Sequence, residues 1–215
     1  MEASIQAVLP PPSQTKPIYT SRLVLRPFEQ ADLPALHELR SDSRVMKWTS
    51  QGRVDDSIQE TREWMESYMY DNDETPRRNF SFVVTLQTRN WDAHQQILHQ
   101  TNDNQIIGTC GLTSLNSLPT SYYPNFGYMF SQKTWGKGYA TEAVSGFQRA
   151  WLQLIASYRQ SRPMSEPFID DIGKIRAVTF EENDVSARVL QKCGWKVYEL
   201  SQYSGSKIVR WIWDA

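Results

Sequence analysis

The sequence predicts an α+β fold built on one mixed sheet, part antiparallel and part parallel. Three observations lead there. Apolar alternation marks about seven strand-like stretches, and apolar spacings of three and four mark about four helices. Their order, β, α, α, β, β, β, α, β, α, β, β, does not alternate strictly and closes on a hairpin pattern. A chain of 215 residues that is 40% hydrophobic is long enough for one sizeable core, so a single domain over 21–215 is expected.

Residues 1–20, with Pro10-Pro11-Pro12 among Ser, Gln and Thr, read as a flexible arm. From Ser21, Leu23 and Leu25 alternate with Val24 and Arg26, and Pro27 closes the strand. Asp32 is placed to cap a helix carrying Leu33, Leu36 and Leu39 on one face. Val45-Met46-Lys47-Trp48 follows without a clear period. The pair Ser57 and Glu60 is a capping box for a second helix with Ile58, Thr61, Trp64, Met65, Tyr68 and Met69 on one side, ended by Asp71 to Pro76. Phe80–Leu86 and Gln105–Thr113 are β-rich, with a polar surface insertion near 89–104 between them. A second polar insertion near 159–173 precedes the strand Lys174–Phe180. Asn183 to Gly194 is a short helix with a glycine stop. Lys196–Leu200 and Ile208–Trp213, separated by Ser204-Gly205-Ser206, form the terminal hairpin.

Charge and cysteine content narrow the function classes. A net charge of −1, from 23 basic and 24 acidic residues, gives no field suited to a polyanion or an anionic membrane, so neither nucleic acid nor membrane is expected as a partner. Cys110 and Cys193 lie in no ligand pattern, and His94 and His99 lack a third ligand at useful spacing, so no metal is expected. The start of the chain lacks the basic and apolar runs of a secretory signal, and no stretch is long enough to span a bilayer. The expected location is the cytoplasm.

The stretch Asn125–Thr141 is the most informative. Phe126, Tyr128 and Phe130 alternate with Gly127 and Met129 as in a strand. Gly136 and Gly138 follow, and then Ala140, Ala143, Val144, Phe147, Ala150, Trp151, Leu154, Ile155 and Tyr158 recur at helical spacing. A strand that feeds a glycine turn into a helix start presents unpaired N–H groups backed by the positive end of the helix dipole, a seat for phosphate. The dinucleotide fingerprint would need an acidic residue about twenty positions on, where Leu154-Ile155-Ala156-Ser157 stands, and the Lys-Ser/Thr of a P-loop is missing.

Lys133-Thr134-Trp135-Gly136-Lys137-Gly138-Tyr139-Ala140-Thr141-Glu142-Ala143 resembles the acyl-CoA pyrophosphate loop of the GNAT N-acetyltransferase superfamily, with Lys133 where that family has Arg or Gln. Asn183-x-x-Ser186 with Lys192-x-Gly194-Trp195 resembles a second segment of the branch that holds the ribosomal-protein alanine N-acetyltransferases. With Ser21–Pro27 the likeness covers residues 20 to 213. It implies a GNAT-like sheet and transfer of an acetyl group from acetyl-CoA, as co-substrate, to a primary amine of a small molecule or a peptide N-terminus, with no acyl-enzyme. The residues implied to hold the cofactor are Tyr128, Met129, Phe130, Lys133, Trp135, Gly136, Lys137, Gly138, Tyr139, Ala140, Thr141, Asn183 and Ser186.

Three catalytic roles follow from the same resemblance. The strand through Tyr128 splays from its parallel neighbour, and the Met129 N–H is the candidate oxyanion donor. Many members carry a tyrosine on the last helix. Leu190 stands there, so help to the leaving thiolate falls to Ser186. Glu181 and Glu182 stand just before Asn183, near the strand end where acceptor and thioester should meet; either could serve as general base, directly or through water, and Glu182 is the candidate. Other roles stay open: Asn183 equally suits a helix cap, Ser186 a solvated turn, and Tyr128 pocket packing. Trp48, Trp64, Tyr122 and Tyr123 suggest an aromatic pocket wall. The competing reading is a catalytically weak acyl-CoA-binding sensor or interaction module. Whether the chain works as a monomer or a homodimer is left undecided.

Overall fold

The computed structural model describes residues 8–69, 77–92, 97–115, 123–161 and 173–214, with backbone alone for 88–92 and 97–104. Asp71 to Pro76, His94, Tyr122 and most of the second insertion lie outside them, as does the side chain of His99. Eight strands form one sheet: β1 (Ile18–Tyr19), β2 (Leu23–Arg26), β3 (Phe80–Asp92), β4 (Ile97–Ser114), β5 (Asn125–Phe130), β6 (Ile175–Phe180), β7 (Lys196–Tyr203) and β8 (Ser206–Trp213). Their order is β1-β2-β3-β4-β5-β6-β8-β7. Every neighbouring pair is antiparallel except β5 and β6, the mixed sheet that the sequence predicts. The helices are α1 (Leu33–Arg40), α2 (Ser43–Met46), α3 (Ile58–Glu66), α4 (Tyr139–Ser161) and α5 (Asp184–Lys192).

One strand and one helix exceed the expectation, and both are short. The first, β1, lies in the segment expected as a flexible arm. Within that segment Val8 and Leu9 join the main core, and Ile18 and Tyr19 pair with Leu25 and Val24, while most of the residues between are exposed. The helix α2 is four residues capped by Asp42, whose carboxylate accepts the Arg44 N–H. Neither element is long enough to show a period. The stretch near 89–104 continues the β3–β4 hairpin on both sides of 93–96, with Thr88 opposite Thr101 and Asp92 opposite Ile97.

Strand periodicity divides the core between the two faces. Phe80, Phe82 and Val84 of β3 face the α4 side, while Val83 faces Phe28, Leu33, Leu36 and Met65 under α1 and α3. On the first side Ala143, Val144, Phe147, Trp151 and Ile155 of α4 are buried, and the Phe147 and Trp151 rings stack with centroids 6.3 Å apart. Helices on both faces explain why all four residues of β2 are buried although its apolar pattern alternates only partly. Asp32 stands at the start of α1 without capping it. Its carboxylate is taken by Arg26, at 2.8 and 2.6 Å, and by the Glu29 N–H. No helix among the described residues is long and apolar enough to cross a membrane.

Candidate active site

The sheet opens where β5 meets β6. Their parallel ladder has one rung, Asn125 opposite Arg176, with the Arg176 N–H donating to the Pro124 carbonyl at 2.9 Å. Along β5 successive amides point to opposite neighbours. The Ser131 N–H donates to Ile107 of β4, and an unshifted register from Gly108 to Leu112 sets Thr109 opposite Met129. Odd-numbered amides of β5 therefore face β4. This corrects the expectation for Met129, whose N–H is directed into the β4 ladder and away from the opening. The amides of Tyr128 and Phe130 face β6, beyond the last rung of that ladder. On the β4 side Gly108 permits the close approach of the two strands: a Cβ there would lie 2.3 Å from the Met129 carbonyl oxygen.

Beyond β5, a single 3₁₀ turn (Gln132–Thr134) leads into the glycine turn. Gly136 and Gly138 have φ of +74° and +80°, in the left-handed region that favours glycine. Nothing lies within 4 Å of the place a Gly136 Cβ would take, so the turn is open on that side. The Glu142 N–H donates to the Gly138 carbonyl at 3.0 Å as α4 begins, which leaves the N–H groups of its first turn without helical acceptors. Behind them stand 23 helical residues and their dipole. The Trp135 indole N–H donates to the Phe130 carbonyl at 2.8 Å and braces the turn against β5. Lys133 points outward to Glu38 of α1 at 2.8 Å, both side chains highly exposed.

Sequence reading missed the residues that hold this turn from below. The Arg22 Nη1 donates to the Lys137 carbonyl at 3.1 Å, and its Nε to Glu142 at 2.7 Å. Glu142 also accepts from the Thr20 hydroxyl at 2.6 Å and the Arg22 N–H at 2.8 Å. Burial pushes the Glu142 carboxyl up, but the bonds from Thr20 and Arg22 outweigh it and hold the group below its ordinary range. The available signal was an acidic residue in the first turn of the helix that follows the glycines, with a basic residue in the opening strand motif.

Across the opening, Asn183 caps α5, its Oδ1 accepting the Ser186 N–H at 3.1 Å. The Ser186 hydroxyl lies 2.7 Å from that of Tyr128, which also donates to the Ser186 carbonyl at 3.2 Å. Burial pushes the Tyr128 phenol well up, against the smaller opposing effect of its bond to Ser186. The side chain expected to hold the cofactor or to line the pocket is thus tied to the one expected to act. Glu181 pairs with Lys207 at 3.4 Å. Glu182 is exposed in the β6–α5 turn, and among the described residues no hydrogen bond links it to Ser186 or Tyr128.

Trp48 reaches the end of β6, its ring centroid 6.5 Å from that of Phe180. Trp64 does not join it and packs with Phe28 and Tyr68 under α3. Tyr123 lies against the Arg176 guanidinium. The connection carrying Trp48 rests on a buried network: Arg40 grips Asp55 at 2.7 Å through both Nε and Nη2, Gln51 bonds both, and Thr61 donates to Asp55 at 2.6 Å. Burial raises the Asp55 carboxyl, and these partners together bring it below the ordinary carboxylate range. Among the described residues no cluster of three or more His, Cys, Asp or Glu could hold a metal.

The sequence and the fold have counterparts among known proteins. The family model described as an acetyltransferase (GNAT) domain matches residues 22–196. An uncharacterized protein YkkB of Bacillus subtilis (strain 168) is 29% identical over 178 residues, 82% of this chain and 83% of its own length. An uncharacterized N-acetyltransferase p20 of Bacillus licheniformis is 27% identical over 127 residues, 59% of this chain and 61% of its own. The solved RimL ribosomal L7/L12 α-N-protein acetyltransferase in complex with coenzyme A superposes with a TM-score of 0.63 at 15% identity, covering 93% of this chain and 98% of the other. A spermidine N-acetyltransferase from Vibrio cholerae, in complex with CoA and spermine, gives 0.59 at 19% identity, with 91% and 96% covered. At such identities the two solved structures share the fold with this chain.

Proposed function

The chain belongs to the GNAT acetyltransferase family, and from that premise we propose that it moves an acetyl group from acetyl-CoA to a primary amine, of a small molecule or a peptide N-terminus, by direct attack. One observation carries the reading: the β5–β6 ladder ends after a single rung, just upstream of a glycine turn that opens the longest helix. The residues fit the co-substrate. First-turn amides from Tyr139 to Thr141, with Gly136, Lys137 and Gly138, suit a diphosphate. Beyond the last rung, the β6-facing amide of Phe130 suits a carbonyl of a pantetheine arm, as a missing strand would.

The chemistry asks three things of the protein. An amine with the pKa of lysine, about 10.4, is neutral in roughly one molecule in two thousand at pH 7, so a base or a desolvating pocket must assist. Glu182, directly or through water, is the candidate base, and Trp48 beside Phe180 supplies an apolar wall. Negative charge on the acetyl oxygen needs a donor, and the Tyr128 amide, further from the glycine turn than that of Phe130 and on the residue bonded to Ser186, takes this role in place of Met129. The departing sulfur meets Ser186. Amine acceptors accord with the two solved relatives, which are named for spermidine and for a ribosomal protein.

The test pairs calorimetric CoA binding with acetyl transfer to a panel of polyamines, amino acids and peptides. CoA should bind, at least one amine should be acetylated, and Gly138→Val should weaken CoA at least about tenfold, because a β-branched residue resists the positive φ. Absence of CoA binding sinks the reading. Binding without turnover of any amine would make the chain an acyl-CoA-binding module.

A further inference from the structure

Tyr128 and Ser186 meet from different elements, the phenol oxygen 2.7 Å from Ser186 Oγ and 3.2 Å from the Ser186 carbonyl oxygen. A phenol has one proton and a carbonyl only accepts, so two hydrogen-bond patterns share these heavy-atom positions. In one, the phenol donates to the carbonyl and the serine hydroxyl donates back to the phenol, so neither proton points outward. In the other, the phenol donates to Oγ, and the serine proton is free for a third group. Building on the acetyl-transfer reading above, we propose that Tyr128 is a positioning residue whose proton turns onto Ser186 Oγ as charge gathers on the leaving sulfur, releasing the serine hydroxyl to donate to that sulfur.

The step balances without acid catalysis in the strict sense. The amine nitrogen forms a C–N bond to the acetyl carbon, the C–S bond breaks with its electron pair on sulfur, and the surplus nitrogen proton leaves to Glu182 or water. Neither hydroxyl gives up its proton. A thiol ionises near pH 8.5 and a free phenol near 10, and burial pushes this phenol higher still, so the sulfur departs as a thiolate held by a hydrogen bond. A chain of two donors polarises along its length, so the outer bond is stronger than a lone serine would give. The other ionisable groups around the pair are the buried thiols of Cys110, opposite Tyr128 on β4, and Cys193 after α5, with Glu182 in the adjoining turn and Asp184 at the start of α5.

The experiment uses the whole protein and three variants, Tyr128→Phe, Ser186→Ala and the double. Two quantities are read: the ionisation of the CoA thiol in the binary complex, from thiolate ultraviolet absorbance, and kcat and KM for acetyl-CoA. In the wild type the bound thiol should be more acidic than free CoA. Each single variant should weaken that acidity roughly tenfold and lower kcat about 10- to 100-fold, as for loss of one hydrogen bond to a charged group, with KM within about twofold. The double variant should lose no more than either single one, since the two act as a unit. Wild-type kcat and thiol acidity in Tyr128→Phe, or losses that multiply in the double variant, would overturn the proposal. If Tyr128→Phe does not fold, an unchanged thiol in Ser186→Ala overturns it equally. A depressed thiol in a protein that acetylates no amine would defeat the transfer reading and leave this pairing standing.

Discussion

A single residue of register decides which amide of β5 can serve the chemistry. Met129 sits opposite Thr109 in the hydrogen-bonded set, while Tyr128 and Phe130 turn to the side where β6 has already diverged. Hydrogen exchange resolved by residue tests this directly. In the free protein the Met129 amide should be protected and those of Tyr128 and Phe130 should exchange faster; CoA should slow the latter two and leave Met129 unchanged. Protection of Tyr128 and Phe130 without ligand would return the oxyanion role to another donor. A second prediction concerns Glu142. Its folded pKa is held below the ordinary carboxylate value, so its contribution to stability is full above the unfolded pKa of about 4.3 and is lost as pH falls through the folded one. Glu142→Gln should therefore lower stability at pH 7 and narrow the gap to wild type as the solution is acidified, measured by urea unfolding at a series of pH values.

Among the elements, length determined what could be foreseen. The long helix α4 buries Ala143, Val144, Phe147, Trp151 and Ile155 at the spacing written in the sequence, and so announces itself. The two-residue β1 and four-residue α2 have no room for a period and draw their order from neighbours. The site was legible where its parts are contiguous, as in Lys133 to Thr141. It was not legible where partners stand far apart: Arg22 and Glu142 are 120 positions apart, Tyr128 and Ser186 58. The α1–α3 connection was not legible either, although its anchor joins nearer neighbours, Arg40, Gln51, Asp55 and Thr61, because a loop has no period to show which polar side chains turn inward. Asp55→Asn would leave the Arg40 charge buried without its carboxylate, a change that costs about 3–5 kcal/mol. Chemical denaturation should show a loss of that order, and a loss below about 1 kcal/mol would mean that the connection is held by packing instead.

Across the whole molecule, the sheet is two parts joined by one rung. From β1 to β5 the ladder is continuous, and β6, β8 and β7 form a second continuous set. What unites them is the core on the α4 side, where Phe126 and Phe147 meet Ile175, Leu190, Trp195 and Trp211. A ligand lying in the opening would bond to the free edge of the first set and to the start of α4, which packs on that set and on α5. Binding to the folded state alone stabilises it by about 2.7 kcal/mol when CoA is present at 100 times its Kd. For a chain of this size each kcal/mol moves Tm by about 2–4 °C, so CoA should raise the melting temperature by about 5–10 °C. The gain should follow the logarithm of CoA concentration and fall sharply in Gly138→Val, whose glycine turn carries the phosphate seat. A shift of the same size in that variant would mean that CoA binds this fold somewhere other than the break between β5 and β6.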